Sequence, residues 1–243
     1  MILARIALAL SLIALLLLLV GGPGYRLDLW GLGFGLLGAL RYALYFGAAG
    51  AVLAIVGLLV PSLRSGRAFM LSAALVLGVV AAMIPVGVRQ MAASKPFIHD
   101  VTTDLENPPE FVAVAPLRAD APNPAEYGGE EVAEQQRQGY PDLGPERFEA
   151  SPERVFEAAE NVARTLGWEI VAAVPEDGRI EATDTTLWYG FEDDVVIRIR
   201  DQSGATRVDV RSKSRVGGSD LGKNAARIRA FLEALRARLS VQG

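Results

Sequence analysis

Three apolar runs fill the amino-terminal part of this 243-residue chain. Ile2 to Val20 is apolar except for Arg5 and Ser11. A second run extends from about Leu36 to Val60, and a third from Ala68 to Val88 with Pro85 near its end. A helix of about 20 residues rises about 30 Å, which is the thickness of a bilayer's hydrocarbon layer. The three runs are therefore expected to cross a membrane as helices. The first also resembles a signal peptide, because an Arg precedes an apolar run. No A-x-A-like cleavage site follows it; the run ends in Gly21-Gly22-Pro23-Gly24. We read it as an uncleaved helix, since further hydrophobic segments follow.

Three spans place the amino terminus and the Pro61–Arg67 loop on one side. The Tyr25–Phe34 loop and everything after the third span lie on the other. Arg5, Arg64 and Arg67 then face Arg26, Arg41, Arg89 and Lys95, a near tie under the positive-inside rule. We place the dense loop SLRSGR in the cytoplasm, which puts the carboxy-terminal domain outside. In a Gram-negative bacterium that means an inner-membrane protein with a periplasmic domain. Tyr25, Trp30, Phe34, Tyr42 and Tyr45 gather at one end of the spans as an interfacial belt. Gly31, Gly35, Gly47 and Ala51 give small-residue spacings suited to packing among the chain's own helices.

Charge divides the chain near Lys95. Residues 1–95 carry seven Arg/Lys against one acid, Asp28, whereas the remainder carries 17 bases and 27 acids, a net of −10. Phosphate contacts need a net basic face, so this half is a poor nucleic-acid binder. The absence of Cys excludes disulfides and thiolate chemistry. A single His, His99, rules out a multi-His metal site within one chain. No metal and no cofactor is expected.

The stretch Gly178 to Asp220 organises the second half. Val195, Ile197 and Ile199 alternate with Val196, Arg198 and Arg200; Thr206, Val208 and Val210 alternate with Arg207, Asp209 and Arg211. Period-two alternation broken by Gly-containing turns predicts an antiparallel meander with one wet face. Ahead of it, Ser151-Pro152-Glu153 opens a helix with stripe Val155, Ala159, Val162 and Leu166, and Trp168 to Val174 reads as a strand. Behind it, Leu221, Ala225, Ile228, Leu232, Leu235 and Leu239 form the stripe of a final helix. The fold class is α+β: three transmembrane helices, then an antiparallel sheet with two helices on one face. Its strand–helix–strands–helix order is similar to helix-grip folds. The expected parts are a membrane domain 1–94, a Pro-rich wrapping segment 95–147 and an α+β domain 148–243. The middle part holds eight of the thirteen prolines, which excludes long helices and central strands there.

On the inward face the apolar pattern turns polar at one end. Ile180 and Ala182 give way to Asp184 and Thr186, and Val208 and Val210 to Ser212 and Ser214. Trp188 and the turn Gly217-Gly218-Ser219-Asp220, which opens the last helix, belong to the same end. A helix start favours anions, so these residues are the candidate ligand site. The plainer alternative is that Asp184 bonds the serines and that Ser219 or Asp220 caps the helix. On the other face, Arg198, Arg200, Arg207, Arg211, Lys213 and Arg215 are expected to stand in solvent, diluted by Glu181, Asp193 and Asp209. Such a face is either solvated or a docking surface for lipid headgroups or a protein partner. His99, Asp100 and Asp104 have the look of an acid–base group, though no nucleophile lies near them in sequence.

Dispersed motifs carry a family resemblance. They are FIHDVTTD (97–104), Asn107-Pro108-Pro109, Tyr140-Pro141-Asp142, GRIEATD (178–184), FEDDVVIR (191–198) and VRSKSRVG (210–217). Over residues 95–240 the chain resembles the bacterial domain-of-unknown-function 1499 family, which implies no particular chemistry. The leading expectation is a non-enzymatic, membrane-anchored envelope protein whose domain is a binding or assembly module. The alternatives are a carrier of a lipid-like or small anionic ligand held between sheet and last helix, and a His/Asp hydrolase.

Overall fold

The structure, a computed structural model, describes residues 2–241. Contacts divide the chain into two units: Met1–Ala93 with Leu187–Gly190, and Ser94–Thr186 with Phe191–Gly243.

The first unit is a bundle of α1 (Ile2–Arg26), α2 (Ala39–Leu59) and α4 (Ala68–Ala93), with a π-helical turn Gly33–Gly38 before α2 and a single turn α3 (Pro61–Arg64) after it. Three helical segments, Ile2–Arg26, Gly33–Leu59 and Ala68–Ala93, are long and apolar enough to cross a membrane. α1 runs on through the Gly21–Gly24 stretch, where the apolar run ends. Those glycines serve close approach rather than chain reversal. A Cβ on Gly24 would sit 1.9 Å from the Trp30 ring, and the Trp30 indole N–H donates to the Gly21 carbonyl at 3.0 Å. Small residues line the helix interfaces, as packing without a hydrophobic drive requires. A Cβ on Gly47 would lie 2.7 Å from the Gly78 oxygen, and one on Gly50 would lie 2.4 Å from Ser11 Oγ. Ser11 donates across the interface to the Ala74 carbonyl at 2.7 Å, so its hydroxyl is satisfied away from water. Gly35, Gly47 and Ala51 are buried, whereas Gly31 is exposed with open space around it.

The second unit is built on one antiparallel sheet. Its strands are β1 (Asp100–Thr102), β2 (Glu146–Phe148), β3 (Glu169–Val174), β4 (Arg179–Thr185), β5 (Glu192–Gln202) and β6 (Ala205–Ser214), in the order β1-β6-β5-β4-β3, with β2 also on β6. The β5–β6 turn has Ser203 at φ 53° and Gly204 at φ 89°, the two left-handed residues of a type I′ hairpin. α6 (Pro152–Thr165) and α7 (Lys223–Val241) lie on the inward face. Ser151 caps α6, accepting from Arg154 N at 3.4 Å. Ile180, Ala182, Val195, Ile197, Val208 and Val210 pack there against Val155, Val162, Ile228 and Leu235. Trp168 stacks on Phe231 with ring centroids 5.4 Å apart.

The opposite face is not open, as the alternation suggested. Residues 103–127 cross it as a strap, and Phe111 and Val114 on the strap bury Val196 beneath them. Arg211 and Lys213, expected in solvent, are 1% and 3% exposed. Asp193 belongs to the inward face rather than the outer one: it stands opposite Asp184 and Ser214 and bonds Arg227 on α7. β1 and the helix α5 (Glu130–Gly139) are structured parts of a segment expected to be extended.

Candidate functional site

The inward polar end is a single network around Arg227 on the second turn of α7. Its Nε donates to Asp184 at 2.8 Å, and Nη2 donates to Asp184 at 2.6 Å and Asp193 at 2.7 Å. Nη1 reaches Asn224 Oδ1 at 2.7 Å and Ser212 Oγ at 3.1 Å. Asn224 in turn accepts from Ser212 at 2.7 Å and donates to Ser214 Oγ at 3.0 Å and the His99 carbonyl at 3.0 Å. The structure thus brings Asp184, Ser212 and Ser214 together, and it seats a guanidinium and an amide among them. The register forces this arrangement: two carboxylates and two hydroxyls end the apolar face, and buried charges need paired, hydrogen-bonded partners.

The other residues of that end have local roles. Thr186 closes the β4–β5 turn, accepting through Oγ1 from Phe191 N and donating its own N–H to the Phe191 carbonyl, both at 2.8 Å. Trp188 falls in the four residues that cluster with the helical unit and takes no part in the network. Asp220 caps α7, accepting from Gly222 N at 2.8 Å and Asn224 N at 2.6 Å, and burial pushes its carboxyl up. Ser219 Oγ accepts from Leu221 N at 3.3 Å. Gly217 has φ 91° and its carbonyl accepts from Asn123 on the strap. A Cβ on Gly218 would meet the Phe97 ring at 2.7 Å.

His99, Asp100 and Asp104 are not assembled as an acid–base group. His99 Nδ1 lies 3.4 Å from the Gly218 carbonyl. Asp100 takes Arg211 in a fork at 2.9 and 2.8 Å, with Lys213 at 3.1 Å. Asp104 accepts from Arg198 at 2.9 Å and Arg207 at 2.7 Å. Burial lowers the His99 pKa below its ordinary 6.5, and the Gly218 carbonyl only partly offsets this. A base depressed on folding binds fewer protons folded than unfolded between the two values. Stability is therefore expected to rise with pH across the window just below 6.5, and acidification through it costs stability. As the only histidine, His99 gives one resolved imidazole signal. NMR titration of the full chain is expected to place its midpoint below 6.5, and His99→Gln should flatten the stability slope in that window.

The outer face is fastened to the strap by buried charge. Glu181, 0% exposed, accepts three consecutive strap N–H groups: Val112 at 3.0 Å, Ala113 at 3.0 Å and Val114 at 2.9 Å. Arg211 donates to the strap carbonyls of Pro109 at 3.2 Å and Ala125 at 2.9 Å, with its guanidinium 4.9 Å from the Phe111 ring centre. Strap Arg118 reaches down to Asp194 at 2.7 Å and to the Lys213 and Ser214 carbonyls. Asp194 also accepts from Thr183 at 2.7 Å and Arg215 at 2.8 Å. Burial lowers the Lys213 and Arg118 pKa values, Asp100 and Asp194 respectively working against it, and burial pushes the Tyr127 phenol up to about 12. Arg198, Arg200 and Arg207 stand at the other end of this face and share the buried Asp209. Sequence reasoning did not single out Arg227, Asn224, Arg118, Asp194 or Phe111, and it took Glu181 for a surface residue. For Arg227 and Asn224 a signal existed: a face ending in acids and hydroxyls needs a base and an amide on the helix facing it.

The family model described as "Protein of unknown function (DUF1499)" matches residues 100–235, more than half of the chain. The chain belongs to this family. The DUF1499 match begins on β1 and ends within α7, so it takes in the strap, the sheet and both covering helices. A search of curated proteins gives no match.

Proposed function

We propose that this DUF1499 protein is a non-enzymatic, membrane-anchored component of a bacterial cell envelope, and that its carboxy-terminal domain is a binding or assembly module facing away from the cytoplasm. The observation that carries this reading is the closure of the sheet on both faces. α6 and α7 cover one face and the strap covers much of the other, and the polar groups beneath them are spent on the chain itself. Arg227 and Asn224 occupy Asp184, Ser212 and Ser214, which favours a surface partner over a ligand enclosed beneath α7. Among the described residues His99 bonds the Gly218 carbonyl and no carboxylate, which favours a non-enzymatic role over hydrolysis.

Two measurements test the reading. In a strain lacking the gene, the full-length His99→Gln chain is expected to restore the deletion phenotype as fully as the parent. A folded His99→Gln chain that fails to do so overturns the non-enzymatic role. Alkaline phosphatase fused after Gly243 is expected to be active, because it matures only outside the cytoplasm. Inactive phosphatase together with fluorescent cytoplasmic reporter fusions reverses the orientation.

A further inference from the structure

We infer that the uncovered end of the outer sheet face is a binding site for a dianionic phosphate group, held by Arg147, Arg200 and Arg207 with Arg198 behind them. The register places Arg147 on β2 opposite Arg207 on β6, and Arg207 opposite Arg200 on β5. Three guanidinium side chains thus start from one cross-strand row, on strands about 4.8 Å apart. Like charges directly opposite one another destabilise a sheet unless counter-charge is supplied. One row further in, Arg198 stands opposite Asp209.

Counter-charge is short at this end. Asp209 is fully buried and serves Arg198, Arg200 and Arg207 together, at 2.9, 3.1 and 2.8 Å. Asp104 adds a second carboxylate beside Arg198 and Arg207. Arg147 has no ion pair among the described residues, and neither has Glu149, the next acid on its side of β2. Against Asp104, Asp209 and Glu149, the four arginines keep a net positive charge. They sit at the surface, with the Arg200 side chain 43% exposed, on a region whose net charge is −10. Planar guanidinium donors arrayed in a row suit a group with three acceptor oxygens better than a lone carboxylate.

The site deepens the binding-module reading and rests on it in taking the domain's task to be binding. The two fail separately, since absence of phosphate binding leaves the His99→Gln complementation result as it stands. The test is calorimetric titration of the full chain in maltoside with inorganic phosphate and glycerol 3-phosphate, alongside capture on nanodiscs with and without phosphatidic acid. Wild type is expected to bind, and Arg147→Gln/Arg200→Gln to weaken binding about tenfold or more. Arg238→Gln, an exposed charge on α7, is expected to leave it unchanged. Binding of the soluble phosphates assigns a free phosphorylated ligand; capture only by phosphatidic acid assigns a lipid headgroup. No binding in any arm, or equal binding by the double variant, overturns the site.

Discussion

Glu181→Leu is expected to unlatch the strap. The substitution leaves the partly to fully buried N–H groups of Val112, Ala113 and Val114 without their acceptor, and leaves Arg179 with Asp177 alone. Each buried donor left unpaired costs about 1–3 kcal/mol. The strap has an escape, since it lifts into water once the cost of staying exceeds the cost of opening. The loss is therefore expected to level off at about 3–5 kcal/mol rather than reach the full sum. Hydrogen exchange of the full chain reads this directly: 3 kcal/mol corresponds to about a hundredfold faster exchange at residues 112–114. Glu181→Gln keeps one carbonyl acceptor and should fall between. Unchanged protection in the Leu variant would show that the carboxylate does not hold the strap.

The second large effect belongs to Arg211. Arg211→Met leaves Asp100 with Lys213 alone and takes the donor from the Pro109 and Ala125 carbonyls. Breaking a buried ion pair from one side costs about 3–5 kcal/mol. For a domain of this size that lowers the melting temperature by about 6–20 °C. Arg200→Gln removes an exposed guanidinium from Asp209 and Asp104, which both keep Arg198 and Arg207, and is expected to cost under about 1 kcal/mol. Thermal unfolding of both variants in the same detergent makes the comparison. Equal melting temperatures would mean that the outer face is held by its apolar cluster and not by its charges.

The contrast between these two arginines shows where the sequence was legible. Alternation from Ile180 to Ser214 fixed the strands, their inward residues and the polar end of the inward face, because side-chain direction follows strand parity. Parity also carries Asp193 inward with Val195, which is at odds with grouping it with Glu181 and Asp209 on the outer face. Arg211 and Arg200 share a face of the sheet and a residue type, so nothing local distinguishes the buried one. The difference comes from Asp100, 111 residues away, and from a strap whose prolines announce irregular backbone without saying where it lies. α5 was hidden similarly: the proline count of its surroundings obscured a proline-free stretch that had room for a short helix.

The pairing of β1 with β6 also sets an order of events during synthesis. Asp100 to Thr102 find their partners only at Arg211 to Lys213, and the strap finds Glu181 and Asp194 only after more than sixty further residues. At about 5–20 residues per second, the ribosome needs on the order of 5–20 s to deliver β6 after β1. Through that interval the nascent strap has no sheet to lie on. Its five prolines and scattered charges keep it a poor template for strand pairing while it waits.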